Sequence, residues 1–180
     1  MSVPHLALLR GVNVGGNNKL PMKDLVSVFI EAGAGNVRTY IQSGNVIFTA
    51  PSRLSSQIPG LVSTRISAQF GFQTSVVMRS AKQLRDLIAY NPFLEAGAFE
   101  ESLHVLFLAG RPKADAVQEL DPNRSPPDAF AVRGQEVFLY LPNGVAHTKL
   151  TNAYFDSALA TTSTGRNWRT VTKLLDLMEE

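Results

Sequence analysis

The 180-residue sequence predicts an α+β protein made of two duplicated ferredoxin-like (βαββαβ) halves with a C-terminal helix. Three observations predict it. Short apolar runs that end at turn residues alternate with segments carrying a helical apolar stripe. The run His5-Leu-Ala-Leu-Leu-Arg-Gly11 is echoed by His104-Val-Leu-Phe-Leu-Ala-Gly110. A hairpin signal at Ser43-Gly44 has a counterpart at Gly134-Gln135. The offset is 99 residues at the first strand and about 91 at the hairpin, which a shorter second-half helix accounts for.

Residues 5–10 read as a buried strand stopped by Gly11, and residues 11–19 as a loop by their glycine and asparagine content. Pro21 suits the first turn of a helix whose stripe is Met22, Leu25, Val26 and Phe29, with Gly33 at its end. Residues 37–42 and 45–49 read as strands around a two-residue loop, with Gln42 opposite Asn45. Alternation then puts Val37, Thr39, Ile41, Val46 and Phe48 on the core face, and Arg38, Tyr40, Gln42, Asn45 and Ile47 on the other. A helix with Ile58, Val62, Ile66 and Phe70 follows, Pro59 being tolerated only near its first turn, and a strand over residues 74–78 closes the unit.

Ser80 and Gln83 form a capping box for a connecting helix. The second half runs through a strand at 104–110, a short helix at 112–120, strands at 130–133 and 137–141, and helices at 151–159 and 167–178. The expected organisation is residues 1–79 as the first half, 80–102 as a connecting helix and loop, and 103–180 as the second half with the C-terminal helix. Packing the halves together is one way to cover the free face of each sheet.

Composition bounds the function. Without cysteine there is no disulfide, thiolate metal site or cysteine nucleophile. No export signal is read, and no apolar run reaches the roughly 18 residues of a membrane span. A soluble, cytoplasmic protein without membrane attachment is expected; its oligomeric state is not legible. Residues 1–90 hold nine Lys/Arg against three Asp/Glu, whereas residues 91–180 hold eight against twelve. A basic half attracts anionic partners or complements an acidic half.

Four stretches carry a resemblance. They are Ala7-Leu-Leu-Arg-Gly-Val-Asn-Val-Gly-Gly16 with Met22-Lys-Asp-Leu25; Val37-Arg-Thr-Tyr-Ile-Gln-Ser-Gly-Asn-Val46; Leu141-Pro-Asn-Gly144 with Thr148-Lys-Leu-Thr151; and Arg166-Asn-Trp-Arg-Thr-Val-Thr-Lys-Leu174. Together they resemble the bacterial family of domain of unknown function 1697 along essentially the whole chain. The resemblance supports the fold and implies no activity. The pattern departs at Asn17, where the family often has lysine, and at His147, where it often has arginine; each change removes a fixed positive charge.

The loop over 11–19 joins a strand to a helix and matches neither a Walker loop nor a dinucleotide fingerprint. It reads as an anion site built from backbone N–H groups, or as a loop whose asparagines bond its own backbone. Arg38, Tyr40, Gln42 and Asn45 read as a ligand-lining cluster or a polar network between the halves. Thr151 and Asn167 are good N-caps. Lys149 and Arg166, read as preceding helices, sit where the helix dipole disfavours cations, which a bound anion or a carboxylate would offset. The three histidines lack metal spacing, no Gly-x-Ser-x-Gly elbow is present, and no cofactor is implied.

The expected site is a polar pocket for a small anionic or phosphorylated ligand, held between the halves. Its residues are Arg10, Asn13, Gly15, Gly16, Lys19, Arg38, Tyr40, Gln42 and Asn45, with Lys149, Arg166 and Asn167 as the outer group. Two other readings are weak RNA or single-stranded nucleic-acid binding and a pure protein-interaction module. The strand over 45–49 lacks the exposed aromatics on which RNA-recognition sheets stack bases.

Overall fold

The computed structural model describes residues 2–180. The chain forms two compact units, Met1–Leu84 with Leu174–Glu180, and Arg85–Lys173. Each holds one four-stranded antiparallel sheet.

In the first unit the strands are β1 (Ser2–Leu9), β2 (Gly35–Tyr40), β3 (Asn45–Pro51) and β4 (Val76–Ser80), in the order β2-β3-β1-β4. The helices are α1 (Met22–Glu31), the single turn α2 (Ser52–Ser55) and α3 (Ile58–Phe70), with Pro at the start of α3 as expected. Leu25, Val28 and Phe29 of α1 and Ile58, Val62 and Ile66 of α3 bury against Ala7, Leu9, Val46 and Phe48. Phe29 and Phe48 meet at 5.3 Å between ring centroids. Burying each such side chain contributes on the order of 1.5–3 kcal/mol. On the opposite sheet face Leu6, Leu8, Ile47 and Val77 are buried as well.

The second unit repeats the plan. Its strands β5 (Leu103–Leu108), β6 (Ala129–Arg133), β7 (Glu136–Tyr140) and β8 (Ser163–Asn167) run in the order β6-β7-β5-β8. The helices α4 (Ala81–Ala89), α5 (Pro92–Glu95), α6 (Ala114–Gln118), α7 (Asn152–Leu159) and α8 (Trp168–Glu179) complete the chain, α4 and α8 each crossing a unit boundary. Phe155 and Leu159 of α7 pack with Leu106, Leu108, Val137 and Leu139 of the sheet.

Register confirms the duplication. His5 faces Phe48 and Ser80, while His104 faces Leu139 and Asn167. After β4, Ser80 and Gln83 bond reciprocally at 2.8 and 3.2 Å, the expected capping box of α4. After β8, Asn167 accepts from the Thr170 N–H at 2.8 Å and caps α8. The second hairpin turns at Gly134-Gln135 with Arg133 opposite Glu136, as expected, and Thr151 caps α7 through the Tyr154 N–H.

Three expectations are corrected. The first hairpin is not a two-residue loop: Tyr40 pairs with Asn45, leaving residues 41–44 as the turn. Asn45 dictates this, because its Nδ2 donates to the Tyr40 carbonyl at 3.0 Å and to Ser43 Oγ at 2.9 Å. Ile41 therefore leaves the core face; it is 51% exposed, with φ 49°. The strand expected at 74–78 is β4, two residues later. Thr74 is held outside the ladder, its Oγ1 donating to the Arg10 carbonyl at 2.8 Å and its carbonyl accepting from Ser63 Oγ at 2.7 Å. Finally, Arg166 lies inside β8 rather than in a loop before a helix.

Candidate functional site

The C-terminal end of β1 is where the first unit departs most from regular geometry. Leu9 N–H donates to the Gly44 carbonyl at 2.9 Å, and Arg10 N–H to the Ser75 carbonyl at 3.0 Å. The second unit reproduces both bonds, from Leu108 to Gln135 and from Ala109 to Thr162, each at 2.8 Å. The scaffold is thus shared. What differs is the chain that follows.

In the first unit that chain is strongly left-handed. Gly11, Asn13, Gly15, Gly16 and Asn18 all have φ between 50° and 79°. Asn13 holds the loop. Its Nδ2 donates to the Leu20 and Gln42 carbonyls, both at 2.9 Å, and its Oδ1 accepts from the Leu20 N–H at 2.8 Å. Asn18 Nδ2 closes the other side on the Gly11 carbonyl at 3.0 Å, while Val12 and Leu20 plug the loop into the core. The asparagines do bond their own backbone, and in doing so they join the loop to the hairpin turn.

The tip is a tight turn in which Asn17 N–H donates to the Val14 carbonyl at 3.0 Å, with Gly15 and Gly16 as its left-handed central residues. Both glycines are exposed, and a Cβ on either would meet nothing within 4 Å. Their N–H groups have no hydrogen-bond partner among the described residues. At the neighbouring turn, Gly44 has φ 75°, and a Cβ there would lie 2.8 Å from Leu9 Cβ. Ile41 is the outlier of this region. A β-branched residue at positive φ is strained by on the order of 1–3 kcal/mol, a cost concentrated at functional positions.

Four expected residues, Arg10, Asn13, Gln42 and Asn45, converge at this sheet end, with the glycines and exposed Lys19 in the attached loop. Arg10 is half-buried and Gln42 exposed, whereas Asn45 is fully buried and holds the turn. Tyr40 ends β2, half-buried. Arg38 is engaged elsewhere: its guanidinium bonds the Leu177 carbonyl and Glu180 at the C-terminal end of α8, where the helix dipole favours a cation.

Lys149, Arg166 and Asn167 belong to the second unit. Lys149 is exposed, its backbone held by Ser125 Oγ and Arg124 Nε, both at 3.0 Å. Arg166 is buried and donates to Thr164 Oγ1 at 2.9 Å and the Gly165 carbonyl at 2.7 Å. Burial pulls its pKa down to about 10, which leaves it charged at neutral pH. Sequence reasoning missed Ile41 and the Thr74 brace. A left-handed isoleucine has no sequence signature, but Asn45 directly after Gly44 was a sign of a side-chain-held turn.

Among the described residues no group of three or more His, Asp or Glu side chains is placed to hold a metal, and no helix is long and apolar enough to cross a membrane.

A solved structure of a conserved bacterial protein from Streptococcus pneumoniae is similar over 100% of both chains, with a TM-score of 0.77 and 20% identity. At that identity the likeness speaks for the fold alone. No curated protein matches the chain. The family model described as "Protein of unknown function (DUF1697)" matches residues 3–138, and the chain belongs to that family.

Proposed function

We propose that the protein binds a small anionic or phosphorylated ligand at the end of its first sheet, on the loop between β1 and α1. The observation that carries this reading is the exposed Gly15-Gly16 turn, whose two N–H groups lack partners among the described residues, in a loop that begins at Arg10 and includes Lys19. Backbone N–H groups of consecutive left-handed residues are a common way to hold phosphate oxygens, Arg10 and Lys19 add positive charge on the same loop, and the open space over both glycines lets a ligand approach. The Asn13 bonds fix the loop before any ligand arrives, which lowers the entropy lost on binding. Nucleic-acid binding is less favoured, because the large side chains exposed beside this loop are the aliphatic Val14 and Ile41 rather than aromatic platforms.

Thermal denaturation with added pyrophosphate tests the proposal. At ten times its Kd a ligand specific to the folded state adds about 1.4 kcal/mol, or roughly 3–6 °C for a chain of this size. Arg10→Ala is expected to remove most of that shift while the unliganded protein still melts cooperatively. An equal shift in Arg10→Ala, or none in the parent, would reject the site. Submicromolar binding of a labelled single-stranded oligonucleotide at about 150 mM salt would replace it with the nucleic-acid reading.

A further inference from the structure

The second unit carries a cleft of different chemistry. It has a volume of about 350 Å³ and is lined by Phe99, Glu101, Ser102, Tyr140, Leu141, Pro142 and Gly144. That volume lies within the range of small-molecule sites. Its walls are fixed. The 3-10 turn at Glu100–Ser102 is closed by Ser102 N–H and Oγ, which donate to the Phe99 carbonyl at 3.0 and 2.6 Å. Leu141 N–H donates to the Ser102 carbonyl at 2.7 Å and ties the opposite wall to this turn. Gly144 N–H closes the 141–144 turn on the Leu141 carbonyl at 3.0 Å, and Phe93 backs Tyr140 in a stacked arrangement at 5.9 Å.

Phe99 stands out on this rigid frame. It is 81% exposed, the most exposed large apolar side chain among the described residues. Its ring lines the cleft, so its face is open to an occupant. The one charged residue lining the cleft is Glu101, and Glu100 stands beside it on the same turn. Aromatic faces carry negative potential, as does a carboxylate, so the lining repels anions. A neutral apolar occupant would leave the Glu101 carboxylate without a partner in the cleft. A planar cation satisfies both groups, lying on a ring and pairing with the carboxylate.

We propose that this cleft binds a small organic cation bearing a guanidinium group, held between the aromatic side chains of Phe99 and Tyr140 and the carboxylate of Glu101. The site is independent of the anion-binding reading, since its lining residues all belong to the second unit.

The test is an amide-resolved NMR titration of the full chain with agmatine up to about 10 mM, alongside butylurea as an uncharged isostere of the planar group. Agmatine is expected to give saturable shifts at Glu101, Ser102, Tyr140 and Gly144, and butylurea none. Phe99→Ala is expected to weaken agmatine binding about two- to five-fold, the range of an exposed cation–π contact. Glu101→Gln should weaken it about five-fold or more, the loss of one charge-assisted bond. Both side chains are exposed, so both variants should melt with the parent. Absence of saturation, equal binding of butylurea, or full affinity in either variant would overturn the proposal. An arginine-containing tripeptide binding more than about tenfold tighter than agmatine would assign the cleft to a protein partner and overturn the small-molecule assignment.

Discussion

Replacing Asn13 tests whether the loop after β1 is preformed. Asn13→Ala removes two donated bonds and one accepted bond, all between 2.8 and 2.9 Å. Each contributes about 0.5–1.5 kcal/mol, and the half-exposed setting favours the lower part of that range. Alanine must also hold the left-handed φ of 55° that asparagine tolerates, at a cost of about 1 kcal/mol. The combined loss is about 2.5–4 kcal/mol, or roughly 5–15 °C in melting temperature. Asn13→Gly loses the same bonds without the backbone strain and should melt between the parent and Asn13→Ala. Circular dichroism melts give the ordering, and amide exchange at Leu20 reports the local opening. A melting temperature for Asn13→Ala within about 1 °C of the parent would refute the claim that this side chain holds the loop.

Gly44→Ala places a Cβ 2.8 Å from Leu9 Cβ at φ 75°, and should destabilise by about 2–4 kcal/mol in chemical denaturation. Ser80→Ala breaks the capping box of α4 and should cost about 1 kcal/mol by the same measurement. His5 and His104 both have their pKa lowered from 6.5, chiefly by desolvation, partly offset by backbone hydrogen bonds. The unfolded chain therefore protonates first as pH falls. The histidine contribution is intact above about pH 6.5 and is lost as pH drops through the lower folded values. Melts between about pH 7 and 5 should show this decline, and His5→Gln with His104→Gln should flatten it.

Legibility in the sequence followed the strength of the hydrophobic pattern. The echo of His5 in His104 held to the residue, and the hairpin offset of about 91 matches Val46 opposite Ala7 and Val137 opposite Leu106, because these strands have an alternation set by a buried face. Of the residues assigned to one face, Arg38, Tyr40, Asn45 and Ile47 share it, since Tyr40 pairs with Asn45 and Arg38 with Ile47, whereas Gln42 falls in the turn. β8 was not legible: Ser-Thr-Gly-Arg-Asn has no apolar residue, and it is a strand because β5 offers it a ladder. Arg166 was misplaced for that reason. The hairpin turn erred through the choice of loop length, where Asn45 competes with the backbone for the Tyr40 carbonyl. The loop after β1 was readable as a glycine-asparagine loop, but its tie to Gln42 is a tertiary contact that no local pattern encodes.

The central claim is that the glycine turn of this preformed loop receives an anion. The most direct measurement follows the Gly15 and Gly16 amide resonances as pyrophosphate is added to the full chain. The account predicts saturable downfield shifts at these two amides, with smaller changes at Arg10 and Lys19 and none along the body of β5. Shifts that never saturate, or that spread over lysines and arginines across the chain while Gly15 and Gly16 stay fixed, would contradict it.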